Sequence, residues 1–155
     1  MLDLLWLVPT IPLIGFLILT FSQGKLPEPL AAVVGAGSIG LAFLVAVLVG
    51  TDFMSQETTS YTLDLWTWMS VGAFEAGFTL YLDGLSLVMM FIITGIGFLI
   101  HVYATGYMHD DPSFARFFSY MNLFVSAMLM LVLGDNLLLL FLGWEGVGLC
   151  SYLLI

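Results

Sequence analysis

The strongest constraint on this chain is a set of apolar runs too long for a water-soluble core. Crossing about 30 Å of hydrocarbon takes roughly 20 mostly apolar residues in a helix. Such runs occupy about 4–21, 30–50, 85–103, 116–133 and 137–155. Inside a bilayer the backbone has to satisfy its own hydrogen bonds, so each run is expected to be a transmembrane helix. Composition agrees: 61% of the 155 residues are hydrophobic and 8% are charged, with a mean hydropathy of +1.13, where a soluble domain is about a quarter charged. The predicted fold class is an all-α integral membrane protein, a polytopic bundle of about five helices.

One interval departs from this pattern. Residues 51–82 carry Asp52, Glu57, Asp64 and Glu75, and include YTLDLWTWM and FTLYLD. Partial alternation with many Thr, Tyr, Trp and Phe reads as short strands, and Trp66 and Trp68 suit a membrane–water interface. An extramembrane β-hairpin between helices 2 and 3 is expected.

Breakers mark the remaining boundaries. Pro9 and Pro12 fall near the start of the first run, where a missing backbone donor is best tolerated. SQGKLPEP (22–29) is a polar connector. Gly35, Gly37 and Gly40 in the second run remove side-chain bulk and predict close approach by a neighbouring helix. In YMHDDPSFAR, Asp111 is placed to cap and Pro112 to take the first helical position of the fourth run. Arg116 is expected at headgroups or beside Asp110 and Asp111. Gly134-Asp135-Asn136 reads as a tight turn. Met1–Leu5 holds Asp3, no base and no small-residue cleavage site, so a retained first helix is expected instead of a signal peptide.

Eleven acids against Lys25 and Arg116 give a net charge of −9. That balance excludes nucleic-acid binding, since nothing neutralises a row of phosphates, and excludes a polybasic surface anchor. Cys150 is the only cysteine, so no internal disulfide or thiolate cluster forms, and it is expected to be a small buried residue. No metal constellation, nucleophile–base pair or phosphate loop is visible. With five alternating spans, Lys25 and Arg116 share one side. The positive-inside rule makes that side cytoplasmic and places the N-terminus and hairpin outside.

Glu145 is the outlier among the ionisable residues. It stands eight residues into the last run, about 12 Å along the axis, where an acid costs roughly +2.5 to +3.5 kcal/mol on insertion scales. Intramembrane acids mark ion and proton paths, which makes Glu145 the candidate proton relay. Phe141, Gly148 and Tyr152 share its side of the helix, and with Gly143 and Gly146 they predict an inward-facing site. No cation at membrane depth lies in this chain, so a partner charge would belong to a helix outside it. Asp83, His101, Asp135 and Tyr152 form a possible secondary proton path. Asp83 and Asp135 also suit helix N-caps, and His101 and His109 suit helix ends. The alternative to a relay is a glutamate that only ties helices together.

The wording LGWEGVGLCSYLLI, with YLDGLSLVMMFIITGIGFLIHVYATGYM, RFFSYMNLF and LVLGDNLLLLFLGWEG before it, resembles the L-type antiporter-like subunits of proton-pumping NADH–quinone oxidoreductase, respiratory complex I. The resemblance runs the length of the chain and is strongest from Leu80 onward; M- and N-type sisters share the WE pair but not EGVGLCSYLL. It implies a membrane proton-translocating subunit in an oxidoreductase complex of the bacterial inner membrane. It also implies a relay role for Glu145, paired with a lysine on a broken seventh helix. Partners would be the other membrane subunits, the M-type above all, and the lipid bilayer. No cofactor is expected on this chain; NADH, FMN, iron–sulfur clusters and quinone belong to the whole complex. The lysine, a second five-helix repeat and a lateral helix have no counterpart here, which reads as an N-terminal fragment. The other function considered is the large subunit of a multisubunit cation/proton antiporter, and a structural membrane scaffold is the third.

Overall fold

The computed structural model describes every residue of the chain except Gln23, Glu57 and Ala73. A 3-10 turn at Leu2–Leu4 leads into α1 (Leu7–Phe21), α2 (Glu28–Ser55), the strands β1 (Ser60–Val71) and β2 (Phe74–Asp83), α3 (Gly84–Tyr107), α4 (Phe114–Leu133) and α5 (Leu137–Leu154). Five segments, the first being Leu2–Phe21, are long and apolar enough to cross a membrane. The antiparallel hairpin sits between α2 and α3, as the sequence predicts. This is a polytopic helical membrane protein.

Several boundaries differ from expectation. α2 continues through Ser55, so residues 51–55 belong to a helix and not to the surface segment. The extra turn is held by Asp52, whose Oδ2 lies 2.8 Å from the Met1 ammonium and accepts the Leu2 N–H at 3.1 Å. Phe53 is buried beneath it. The hairpin therefore begins at Ser60; of the acids assigned to it, Glu57 lies outside the described residues. Pro12 falls inside α1, not at its first turn. Ser113, not Asp111, is the N-cap of α4, and Asp111 Oδ1 accepts the Ser113 N–H at 2.7 Å. Arg116 donates to Ser113 Oγ at 2.8 Å instead of meeting Asp110 or Asp111.

Packing follows from small residues meeting aromatic ones. A Cβ on Gly35 would lie 2.5 Å from Phe118, and one on Gly40 would lie 2.9 Å from Phe98. Gly37 faces open space, because two residues along a helix turn a side chain to the far side. α3 contains a π-helical turn at Ile92–Ile96, with Gly95 against the ring of Phe43.

The main apolar cluster lies under the hairpin and joins Leu5, Val8, Ile39, Leu80, Leu82, Leu129 and Leu133. A second cluster, Leu19, Ala31, Ala104, Phe114 and Phe118, closes the opposite end. β2 also bonds to the turn between α4 and α5. Leu80 bridges Gly134, the Asp135 N–H donates to Thr79 O at 3.1 Å, and Asn136 Nδ2 donates to Gly77 O at 2.8 Å.

Candidate functional site

α5 starts where Asn136 accepts the Leu139 N–H in its side chain at 3.0 Å. Asn136 is thus the cap, and Asp135, the residue expected there, is exposed. From this start the helix divides into two faces. Leu139, Gly143 and Cys150 are buried against the bundle. A Cβ on Gly143 would lie 2.5 Å from the Leu131 backbone nitrogen, and one on Gly146 would lie 2.9 Å from Ala127 Cβ. The contact with α4 is therefore backbone-close.

Glu145 lies on the other face. It is exposed, as are Phe141, Trp144, Gly148 and Tyr152. The inward-facing arrangement expected from the sequence is reversed within these five helices. The reason is geometric: glycines at 143 and 146 select the face that meets α4, and Phe141, Glu145 and Tyr152 fall nearly opposite. Among the described residues Glu145 has no ion-pair or hydrogen-bond partner. A carboxylate at membrane depth on an outward helix face is costly unless a polar or cationic group meets it, because hydrocarbon supplies neither.

The secondary candidates do not converge on it. Asp83 caps α3 in a reciprocal box: its Oδ1 accepts the Ser86 N–H at 2.8 Å while its own N–H donates to Ser86 Oγ at 2.7 Å. Those bonds from Ser86 hold the Asp83 carboxyl below the usual carboxylate range, so it stays ionised near neutrality and suits a cap better than a shuttle. His101 is fully buried. Its Nδ1 lies 2.7 Å from Gly97 O and so carries the proton, while Nε2 has no partner among the described residues. Tyr152 shares the outward face with Glu145 but is the only secondary candidate to do so.

The Asp83 cap carries a pH-signed prediction. A depressed folded pKa means its contribution is present above the unfolded value of about 3.9 and is lost as pH falls through the folded one. Asp83→Ala is expected to cost about 1 kcal/mol at neutral pH. Amide exchange at 84–88 should then be several-fold faster, and the difference from wild type should vanish below the folded pKa.

A polar seam in α4 escaped the sequence reading. Ser119, Asn122 and Ser126 are buried. Ser119 pairs with Thr20 at 2.7 Å, Asn122 with Ser38, and Ser126 donates to Pro9 O at 2.9 Å. Asn122 Nδ2 also donates to Phe118 O at 2.9 Å and Gly35 O at 3.2 Å. The signal was present as polar residues spaced three and four apart in an apolar run, the spacing that lines one helix face. The seam fastens α4 to α1 and α2, and α4 carries α5.

Relatives with this sequence are readily found. The family described as "NADH-Ubiquinone oxidoreductase (complex I), chain 5 N-terminus" matches residues 68–118. NADH-quinone oxidoreductase subunit L of Escherichia coli (strain K12) is 56% identical over 153 residues, 99% of this chain and 25% of that protein. Over nearly its whole length this chain is similar to NADH-quinone oxidoreductase subunit L. Subunit L of Pseudomonas aeruginosa is 55% identical over 155 residues, again 99% of this chain and 25% of the relative. The NADH-ubiquinone oxidoreductase chain 5 of Metridium senile is 40% identical over 149 residues, 96% of this chain and 25% of that protein. The chain spans about a quarter of the length of the curated subunit L relatives it matches. The matched family region ends before Glu145, whereas the pairwise matches to subunit L extend over 99% of the chain.

Proposed function

We propose that this chain is part of the proton-translocating membrane machinery of an NADH–quinone oxidoreductase, with Glu145 as a relay carboxylate. The observation that carries the proposal is a single acid near the middle of α5, on an outward face, without a partner among the described residues. Its partner would be a cation on a helix outside these 155 residues. An acid in hydrocarbon is costly unless it is paired, so movement of that cation toward or away from the carboxyl would be the event that couples the site to proton transfer.

The redox steps belong elsewhere in this reading. Moving one charge against 100 mV requires about 2.3 kcal/mol, and that energy has to arrive from quinone reduction on other subunits. NADH, FMN, iron–sulfur clusters and quinone would be held by those subunits, and an M-type antiporter-like subunit would be the neighbour. The membrane would be the bacterial inner membrane. Lys25 and Arg116 would face the cytoplasm, with the N-terminus and hairpin in the periplasm. His101 enters as a secondary candidate, a buried imidazole whose Nε2 has no partner among the described residues.

A lipid-soluble carbodiimide tests the relay, since it reacts with protonated carboxyls in apolar surroundings. In the intact complex, modification mapped to Glu145 by mass spectrometry should lower proton uptake in proportion to its extent. Full modification with unchanged uptake would sink the proposal.

A further inference from the structure

At the end of the bundle away from the hairpin, α1 and α4 part to leave a pocket of about 410 Å³. Its wall includes Thr20, Gly24, Ser113, Arg116, Ser119 and Tyr120. The grooves lined by α2 and α3 and by α3 and α4 are almost wholly apolar; the wall here is mixed, with hydroxyls and a guanidinium among apolar residues.

Three observations give the pocket a preference for an anion. First, the chain has eleven acids and only two basic side chains, and one of the two lines this pocket. That base is Arg116; Lys25 follows the lining residue Gly24 in the chain without being part of the wall. Second, Arg116 is exposed and among the described residues makes a single side-chain bond, to Ser113 Oγ. No carboxylate among the described residues lies within 4.0 Å of it, although Asp110 and Asp111 are close in sequence. Those acids are occupied differently. Asp111 takes the Ser113 N–H, and the Asp110 carboxylate lies 3.7 Å from His109 Nε2, while Glu28 takes His109 Nδ1 and the Asp110 N–H, each at 2.9 Å. A guanidinium has five donors in a planar fork suited to phosphate.

Third, Ser119 is 3% exposed, and its hydroxyl meets Thr20 Oγ1 at 2.7 Å, with no second partner for either among the described residues. Two hydroxyls sharing one bond use one proton; the other remains to be donated. The pocket also opens on the first turn of α4, whose positive end attracts anions. Beside it on α1, Ile18 and Phe21 are exposed, an apolar flank suited to acyl chains. A charged pocket between membrane helices at the interface is the setting in which phospholipid headgroups bind.

We propose that the Arg116 pocket seats the phosphodiester of one membrane phospholipid, with the guanidinium as anchor and the Thr20–Ser119 hydroxyl pair as a further donor. The inference rests on membrane insertion and not on the relay role of Glu145.

Cryo-EM of the intact complex in phosphatidylglycerol nanodiscs tests it. The expected map has phosphate density in hydrogen-bond reach of Arg116, continuous with glycerol and acyl density along α1. Arg116→Gln should lower its occupancy about tenfold, the effect of losing a charge-assisted contact. Absence of the density in wild type, its persistence in Arg116→Gln, or an acidic side chain of a neighbouring subunit in its place would each overturn the proposal. So would a lone peak that appears equally in lipid-free detergent with inorganic phosphate. If Arg116→Gln does not assemble, wild type in nanodiscs of a phosphate-free galactolipid decides: headgroup density that persists there overturns the site, and its loss supports it.

Discussion

Glu145→Gln in the intact complex is expected to lower proton uptake and quinone-coupled turnover together by about tenfold or more, the scale on which a positioned proton-transfer group contributes. Glutamine keeps the volume and hydrogen-bonding capacity of glutamate but cannot release a proton or pair as an anion. Its effect on folding should run the other way. An acid at helix centre costs about 2.5 to 3.5 kcal/mol on insertion scales, so removing the charge should leave assembly intact or improve it. Assembly is read from the amount of complex recovered, and function from proton uptake and NADH oxidation in proteoliposomes. Loss of uptake with full recovery is the signature of a relay. Normal coupled turnover in a fully assembled variant would leave Glu145 as a tie between helices.

Gly143→Val is expected to do the opposite, removing the assembled protein altogether. A Cβ at 143 would stand 2.5 Å from Leu131 N and 2.7 Å from Leu131 Cα. Both are backbone atoms of α4, so no side chain can turn aside and the two helices have to separate. Overpacking of this kind costs about 3 kcal/mol or more, a large share of the 5–15 kcal/mol that typically holds a domain together. The clash begins at Cβ, so Gly143→Ala should also destabilise, despite alanine's advantage of about 1 kcal/mol in a helix. Gly37→Ala is the internal control. Nothing lies within 4 Å of its Cβ position, and the exchange should be neutral or slightly stabilising. The amount of complex recovered from membranes checks all three.

The helices and hairpin were legible because they are written in local terms. Apolar length specifies a span, and alternation with aromatic and β-branched residues specifies a strand. The facing of α5 was not legible for a physical reason. In water, the buried face of a helix is its apolar face; in a bilayer both faces are apolar, and small residues select the contact. The glycines at 143 and 146 hold that information, but in sequence they flank Glu145 and read as part of its own surroundings. The cap at Asn136 was missed because Asp135 and Asn136 are both good caps, and the bond from Asn136 to Gly77 O came from a strand 59 residues away. α2 was underestimated because Asp52 reads as solvent-facing until the Met1 ammonium is placed beside it. Glu145 itself stood out from the first, since a lone acid in hydrocarbon needs no tertiary context to be costly.

The bonds that tie β2 to the turn at 134–136 have a mechanical consequence. They fix the start of α5 to the hairpin, and the close approach at Gly143 and Gly146 fixes the next turns to α4. The segment that carries Glu145 is therefore clamped from two directions on the face opposite the carboxylate. A displacement of the hairpin would pass through the turn at 134–136 into α5, and a ligand that clamps the hairpin would stiffen the mount of the carboxylate.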